Sequence, residues 1–179
     1  MQSENLIQTL IKQSRQIANQ VEKLRTIDLQ VLTWKGDPNS WNILECLEHL
    51  NRYGNYYLSQ IENAIKNSST QSDIKFKSGL LGNYFAKTML PKAKLNKIKT
   101  FKDKNPLNAN LDKTVIDQFI NQQIKLIDLL SQSTKVSLNK VKIATSISRF
   151  IKLKLGDTFQ FIINHNIRHL KQIERLQKN

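Results

Sequence analysis

Four stretches of this sequence, each about 20 residues long, place apolar side chains at steps of three and four residues, the spacing of one face of a helix. In residues 4–26 the face is Ile7, Leu10, Ile17, Val21 and Leu24, with Gln, Lys and Arg between them. Residues 27–40, which hold Gly36, Asp37 and Pro38, read as a loop. A second helix of about 24 residues follows, with Asn42 as its cap and Glu45 completing a capping box. Its stripe is Ile43, Leu47, Leu50, Leu58, Ile61 and Ile65, and polar residues 67–72 end it. Residues 68–111 are irregular, interrupted by Gly79, Gly82, Pro91 and Pro106, with a short helix expected at 80–90. The third long helix is expected at 112–131, with Val115, Ile116, Phe119, Ile120, Ile124, Ile127 and Leu130 on one face. Residues 136–155 alternate weakly and suit either an extended piece or a turn of helix. Gly156, Asp157 and Thr158 then supply a break and an N-cap for a fourth helix at 159–177, whose stripe is Phe159, Ile162, Ile163, Asn166, Leu170 and Ile173.

Four such stripes bury themselves most economically against one another, so the expected fold is all-α, a four-helix bundle. The connection between the second and third helices is too long for a hairpin and predicts a crossover. With 179 residues, 39% hydrophobic and 23% charged, the chain reads as a single domain spanning 1–179. One cysteine, Cys46, permits no internal disulfide, and the opening residues lack a signal-peptide pattern, so a cytoplasmic location is expected. No apolar run approaches the roughly 20 residues that span a bilayer, so no membrane is expected as a partner.

The net charge of +14 invites a nucleic-acid reading, but it is unevenly spread. Residues 75–104 hold nine lysines against one acid, Asp103, and so more than half of the excess. Two readings stand side by side: a solvated basic face inflated by a Lys-, Asn- and Ile-rich composition, or a site for a polyanion. No aromatic interleaving or recognised module accompanies the lysines, which argues against nucleic acid.

The three histidines carry the most chemical information. His49 lies in the second helix, and His165 and His169, four residues apart, share one face of the fourth. All three fall on flanks of apolar stripes, where imidazoles from two helices can converge on one cation. Three neutral imidazoles with an open position are the ligand set of a catalytic zinc site. The competing reading is that they are ordinary hydrogen-bonded core residues. Residue 166 is Asn, so the string 165–169 lacks the helix-borne glutamate of the zinc peptidases. Glu45, one turn before His49, reads either as a weak candidate base or as the capping-box partner of Asn42. Cys46 reads as a small buried hydrophobe rather than a ligand. Tyr53 and Tyr56 suit a pocket wall or simple packing, Trp41 suits a contact at the helix start, and Trp34 has no clear role.

These residues resemble a known family, the DinB/YfiT-like metal-binding bundles. The stretch from Trp41 through Glu45 and His49 to Leu50 is similar to its Trp-x-x-x-Glu-x-x-x-His-Leu opening of the second helix. Gly156, Asp157, Thr158 and Phe159, leading to His165, Arg168, His169, Gln172 and Ile173, resemble its closing string. The resemblance implies an up-down-down-up bundle, commonly a homodimer, with His49, His165 and His169 holding zinc or nickel. The family includes enzymes that move or add low-molecular-weight thiols, such as bacillithiol S-transferases and mycothiol-dependent isomerases, beside many members with no assigned substrate, so the resemblance makes thiol transfer to a small-molecule electrophile the expected activity. Two alternatives remain: a metal-dependent hydrolase using bound hydroxide, and a non-enzymatic binding protein that uses the basic segment 75–104.

Overall fold

The computed structural model describes residues 1–90 and 100–178. Six α-helices occur among these residues: α1 (Ser3–Glu22), α2 (Leu29–Thr33), α3 (Ile43–Lys66), α4 (Leu80–Thr88), α5 (Thr114–Gln132) and α6 (Leu155–Leu176). Two short strands, β1 (Lys142–Ala144) and β2 (Lys152–Lys154), pair antiparallel. The protein is mostly helical, and no helix among the described residues is long and apolar enough to cross a membrane.

The four long helices pack pairwise, α1 on α5, α3 on α5, α3 on α6 and α1 on α6. Side-chain contacts give their directions. Asn51 of α3 donates to the Val115 carbonyl of α5, Gln122 donates to Asn55, and Lys125 pairs with Glu62, so α3 and α5 run in parallel. His49 faces His169, Tyr53 faces His165 and Tyr57 faces Phe161, so α3 and α6 run antiparallel. Arg25, just beyond α1, pairs with Asp117 near the start of α5, while Gln2 and Ser3 share a cavity with Ser133 and Thr134 beyond its end. Helices α1 and α5 are therefore antiparallel. Two parallel neighbours in sequence need a long return, and residues 67–113 supply it.

The expected stripes of α1, α3 and α6 are buried as read. That of α5 is rotated. Ile124 is 60% exposed, whereas Gln123, Leu126 and Leu129 turn inward, because α5 must serve both α1 and α3. Three further expectations are corrected. The loop at 27–40 contains α2, whose Leu32 anchors it in the core. The chain is not purely helical: in the 142–154 hairpin Ile143 faces Leu153, both buried, while Lys142, Lys152 and Lys154 alternate outward with period two. Finally, α6 begins at Leu155, directly from β2, so Gly156–Thr158 form its first turn rather than its cap.

Asp157 accordingly caps a different helix. Its buried carboxylate accepts the Ser78 hydroxyl and, at 2.9 Å, the N–H of Gly79, the residue that opens α4. Gly82 makes the approach possible, since a Cβ there would stand 2.2 Å from the Asp157 carboxylate. The predicted capping box is present: Glu45 N–H donates to Asn42 Oδ1 at 2.8 Å, and Asn42 N–H donates to Glu45 Oε2 at 2.9 Å.

Asp157→Ala leaves the partly buried Gly79 N–H and Ser78 hydroxyl without their carboxylate acceptor. It is expected to lower the unfolding free energy in urea by about 2 kcal/mol. A change within experimental error would show that α4 is not anchored through this carboxylate.

Candidate metal centre

His49 lies two turns into α3, and the antiparallel run of α6 brings His165 and His169 opposite it. All three are buried. Their ligand atoms lie within 4.8 Å of one another. His165 Nε2 is 3.2 Å from His49 Nε2 and 3.1 Å from His169 Nε2. The far nitrogens have their own partners. His49 Nδ1 is 2.8 Å from the Lys104 carbonyl, and His169 Nδ1 is 3.1 Å from Gln172 Oε1.

Proton counting shows what these contacts require. A carbonyl oxygen only accepts, so Nδ1 carries the proton in both His49 and His169, and a neutral ring then presents a bare lone pair at Nε2. His165 can place at most one proton on its Nε2, and that proton points at one neighbour only. At least one of the two short N···N approaches therefore has no proton in it. A cation shared by three lone pairs removes the conflict, and tetrahedral Zn–N bonds of about 2.05 Å would place the nitrogens about 3.3 Å apart. The donor set thus fits a metal ion, with Lys104 and Gln172 fixing the tautomers from behind.

Burial keeps the rings neutral. It lowers His49 to about 4, with the charges of Arg52 and Lys104 adding to the effect and the hydrogen bond to the Lys104 carbonyl opposing it. Burial and then the neighbouring His49 take His169 to about 3, and burial with both partner rings holds His165 well below its usual range.

Aromatic rings wall the cluster. Trp41 lies 4.6 Å from His49 and 5.8 Å from His169, and Tyr53 lies 5.0 Å from His49 and 4.8 Å from His165. Beyond its place at the helix start, Trp41 is thus a wall of the centre, held by its indole N–H donating to Asn105 Oδ1 at 3.0 Å. Tyr56 turns its hydroxyl to the Thr145 carbonyl of the hairpin turn. Trp34 is half exposed and lies against Gly36. Cys46 is fully buried, burial pushes its thiol up, and it contributes no atom to the cluster. Arg168 is buried between the two α6 histidines in sequence.

Glu45 keeps both oxygens engaged away from the rings. Oε2 serves the capping box, while Oε1 accepts Lys35 Nζ at 2.8 Å and the Asn108 N–H at 2.5 Å. Asn108 has a positive φ of 62°, a conformation Asn tolerates. With Arg52 donating to the Asn105 carbonyl, Glu45, His49 and Arg52 of α3 together clamp residues 104–108 beneath the centre. This clamp has no periodic signature, and only the cluster of Asn and Pro at 105–110 marks a turn there. Of the nine lysines at 75–104, Lys92, Lys94, Lys97 and Lys99 lie outside the described residues.

A mostly helical chain that closes three neutral imidazoles on one point belongs to a class of proteins suited to hold a metal ion. The chain belongs to the DinB superfamily, whose family model matches residues 11–173. No curated protein and no solved structure matches it.

The buried rings set a pH dependence. Unfolded histidine titrates near 6.5, and the folded rings titrate lower, His49 at about 4. Between those values the unfolded chain binds protons that the folded chain does not, so stability falls as pH falls. Metal-free protein should lose about 1.4 kcal/mol per pH unit for each such ring between pH 6 and 4.5. Urea titrations of His169→Gln should show a slope shallower by about one such increment. An unchanged slope would contradict the assignment.

Proposed function

We propose that the chain is a metal-dependent enzyme in which His49, His165 and His169 hold one zinc or nickel ion to activate a low-molecular-weight thiol against a small electrophile. The convergence of three Nε2 atoms, with two Nδ1 protons tied to carbonyl oxygens, carries the reading. The directions of α1, α3, α5 and α6 support an up-down-down-up four-helix bundle around this centre. The family resemblance supports the choice of metals, the thiol and a homodimeric state, and the lone Cys46 supports a cytoplasmic setting.

A divalent ion bound there supplies Lewis acidity, lowering the pKa of a thiol or water that joins it. The chain's own residues do the rest. Three lone pairs hold the ion without adding negative charge, which leaves its acidity undiminished by protein carboxylates. The Lys104 carbonyl and Gln172 keep the imidazoles in the ligating tautomer, and Trp41 and Tyr53 exclude water from their flanks. The void behind His165 is about 10 Å³, room for one water, so it houses no substrate. With Glu45 engaged in the clamp, no carboxylate among the described residues joins the three rings, which favours a nucleophile activated by acidity alone.

Metal-loaded protein should consume a small electrophile only when a low-molecular-weight thiol is added, and His169→Ala should lower that rate at least about 100-fold. Turnover without thiol would indicate hydrolysis instead. Gln172→Leu, which removes the acceptor behind His169, should weaken metal affinity about 10- to 100-fold while leaving the fold intact. Unchanged affinity would mean that this hydrogen bond does not orient the ring.

A further inference from the structure

Lys104 touches the centre twice. Its carbonyl accepts the His49 Nδ1 proton, and its ammonium lies 5.9 Å from the centroid of Tyr53 and 6.0 Å from that of Tyr56. Tyr53 is the ring that packs on both His49 and His165. A short 3₁₀ turn, Lys102–Lys104, thus folds one cation of the lysine-rich segment against the aromatic wall of the metal centre.

The charges around it do not balance. The Lys104 side chain is only 16% exposed, and its carboxylate partner is Asp103 at 3.2 Å, which is 70% exposed. With its carboxylate end mostly in water the pair is screened by solvent, and Asp103 can give way to another anion at the ammonium. The other acids of the neighbourhood are committed: Glu48 to Arg52 at 2.7 Å, and Glu45 to Lys35, Asn42 and Asn108. Arg52 is committed as well, to Glu48 and to the Asn105 carbonyl. The three histidines are neutral ligands, so an ion held by them keeps its full double charge. A dication at the three imidazoles and the Lys104 ammonium, both beside the Tyr53 ring, would together make a positive field that the mostly exposed Asp103 carboxylate offsets only in part.

We propose that Lys104 is the anion-recognition residue of this centre, and that its substrate is a small molecule with two negative groups, one for the ion and one for the ammonium. Within the proposed function this is a low-molecular-weight thiol bearing a carboxylate, and the assignment rests on that reading's metal site. The aromatic faces of Tyr53 and Tyr56 hold the ammonium in place before the substrate arrives. The lysine-rich segment then has one member with a defined task, whatever the rest of its charge does.

Cobalt(II)-loaded protein gives a readout independent of turnover, because its visible spectrum changes when a ligand joins the ion. Two probe pairs are compared: 3-mercaptopropionate with its amide, and malonate with its monoamide. Each pair differs by a single negative charge at the end remote from the donor. The wild type should bind the charged member of each pair at least about tenfold more tightly. Lys104→Met should abolish the preference while retaining one equivalent of cobalt, and Lys104→Arg should retain part of it. Equal affinities in the wild type, or a preference that survives Lys104→Met, would overturn the assignment. A failure of cobalt to bind would overturn it too, together with the metal site. If the thiols do not bind but malonate shows the Lys104-dependent preference, Lys104 keeps its role and the thiol reading falls.

Discussion

The structure depends on one unresolved repulsion. Three imidazole nitrogens stand close together in a buried position, and the hydrogen bonds behind two of the rings leave too few protons to fill the approaches. Apolar packing alone would splay such rings apart, because lone pairs facing each other without water are costly. Their convergence is enforced from two sides. The antiparallel register of α3 and α6 sets the heights of His49, His165 and His169, and the clamped segment at 104–108 presses on the back of His49. A positive ion is the simple remedy, and the neutrality imposed by burial suits that role, since protonated rings cannot ligate.

The supporting elements serve this register. The capping box starts α3 at a defined residue, so His49 arrives a fixed angle later, and Glu45 extends the same box to Lys35 and Asn108 beneath the centre. At the other end, β2 runs straight into α6, and Asp157 ties the first turn of α6 to the start of α4. Gly156 lies in that turn because a Cβ there would meet the Phe76 ring at 2.5 Å. One helix end thus rests on a hairpin and the other partner on a cap. The rotation of α3 is fixed at the start of the helix that carries His49, and that of α6 about two turns before His165.

Much of this was legible in the residues, because helical periodicity and i, i+4 spacing are local. The long helices, the burial of the α1, α3 and α6 stripes, the capping box and the shared face of His165 and His169 follow from spacing of that kind, while His49 joins that pair through the family resemblance. What escaped was settled by tertiary contacts. Ile124 looks like a core residue until α1 and α3 together choose which side of α5 is covered. Gly156–Thr158 look like a helix stop until β2 extends into them and Asp157 is claimed by α4. The Lys104 carbonyl lies 55 residues from His49 and carries no side-chain signature, so no pattern could have paired them. Trp41 reads as a contact at the start of α3, but its second task, covering two histidines, needs α6 in position.

The most direct test is the metal content of protein purified without an affinity tag or added metal, measured beside His49→Ala and His169→Ala variants that remain folded. One equivalent of zinc or nickel in the wild type, lost in both variants, is the expected result. A folded wild type that contains no divalent metal, and takes none up from zinc- or nickel-containing buffer at neutral pH, would contradict it, and the three rings would then need another explanation for their approach.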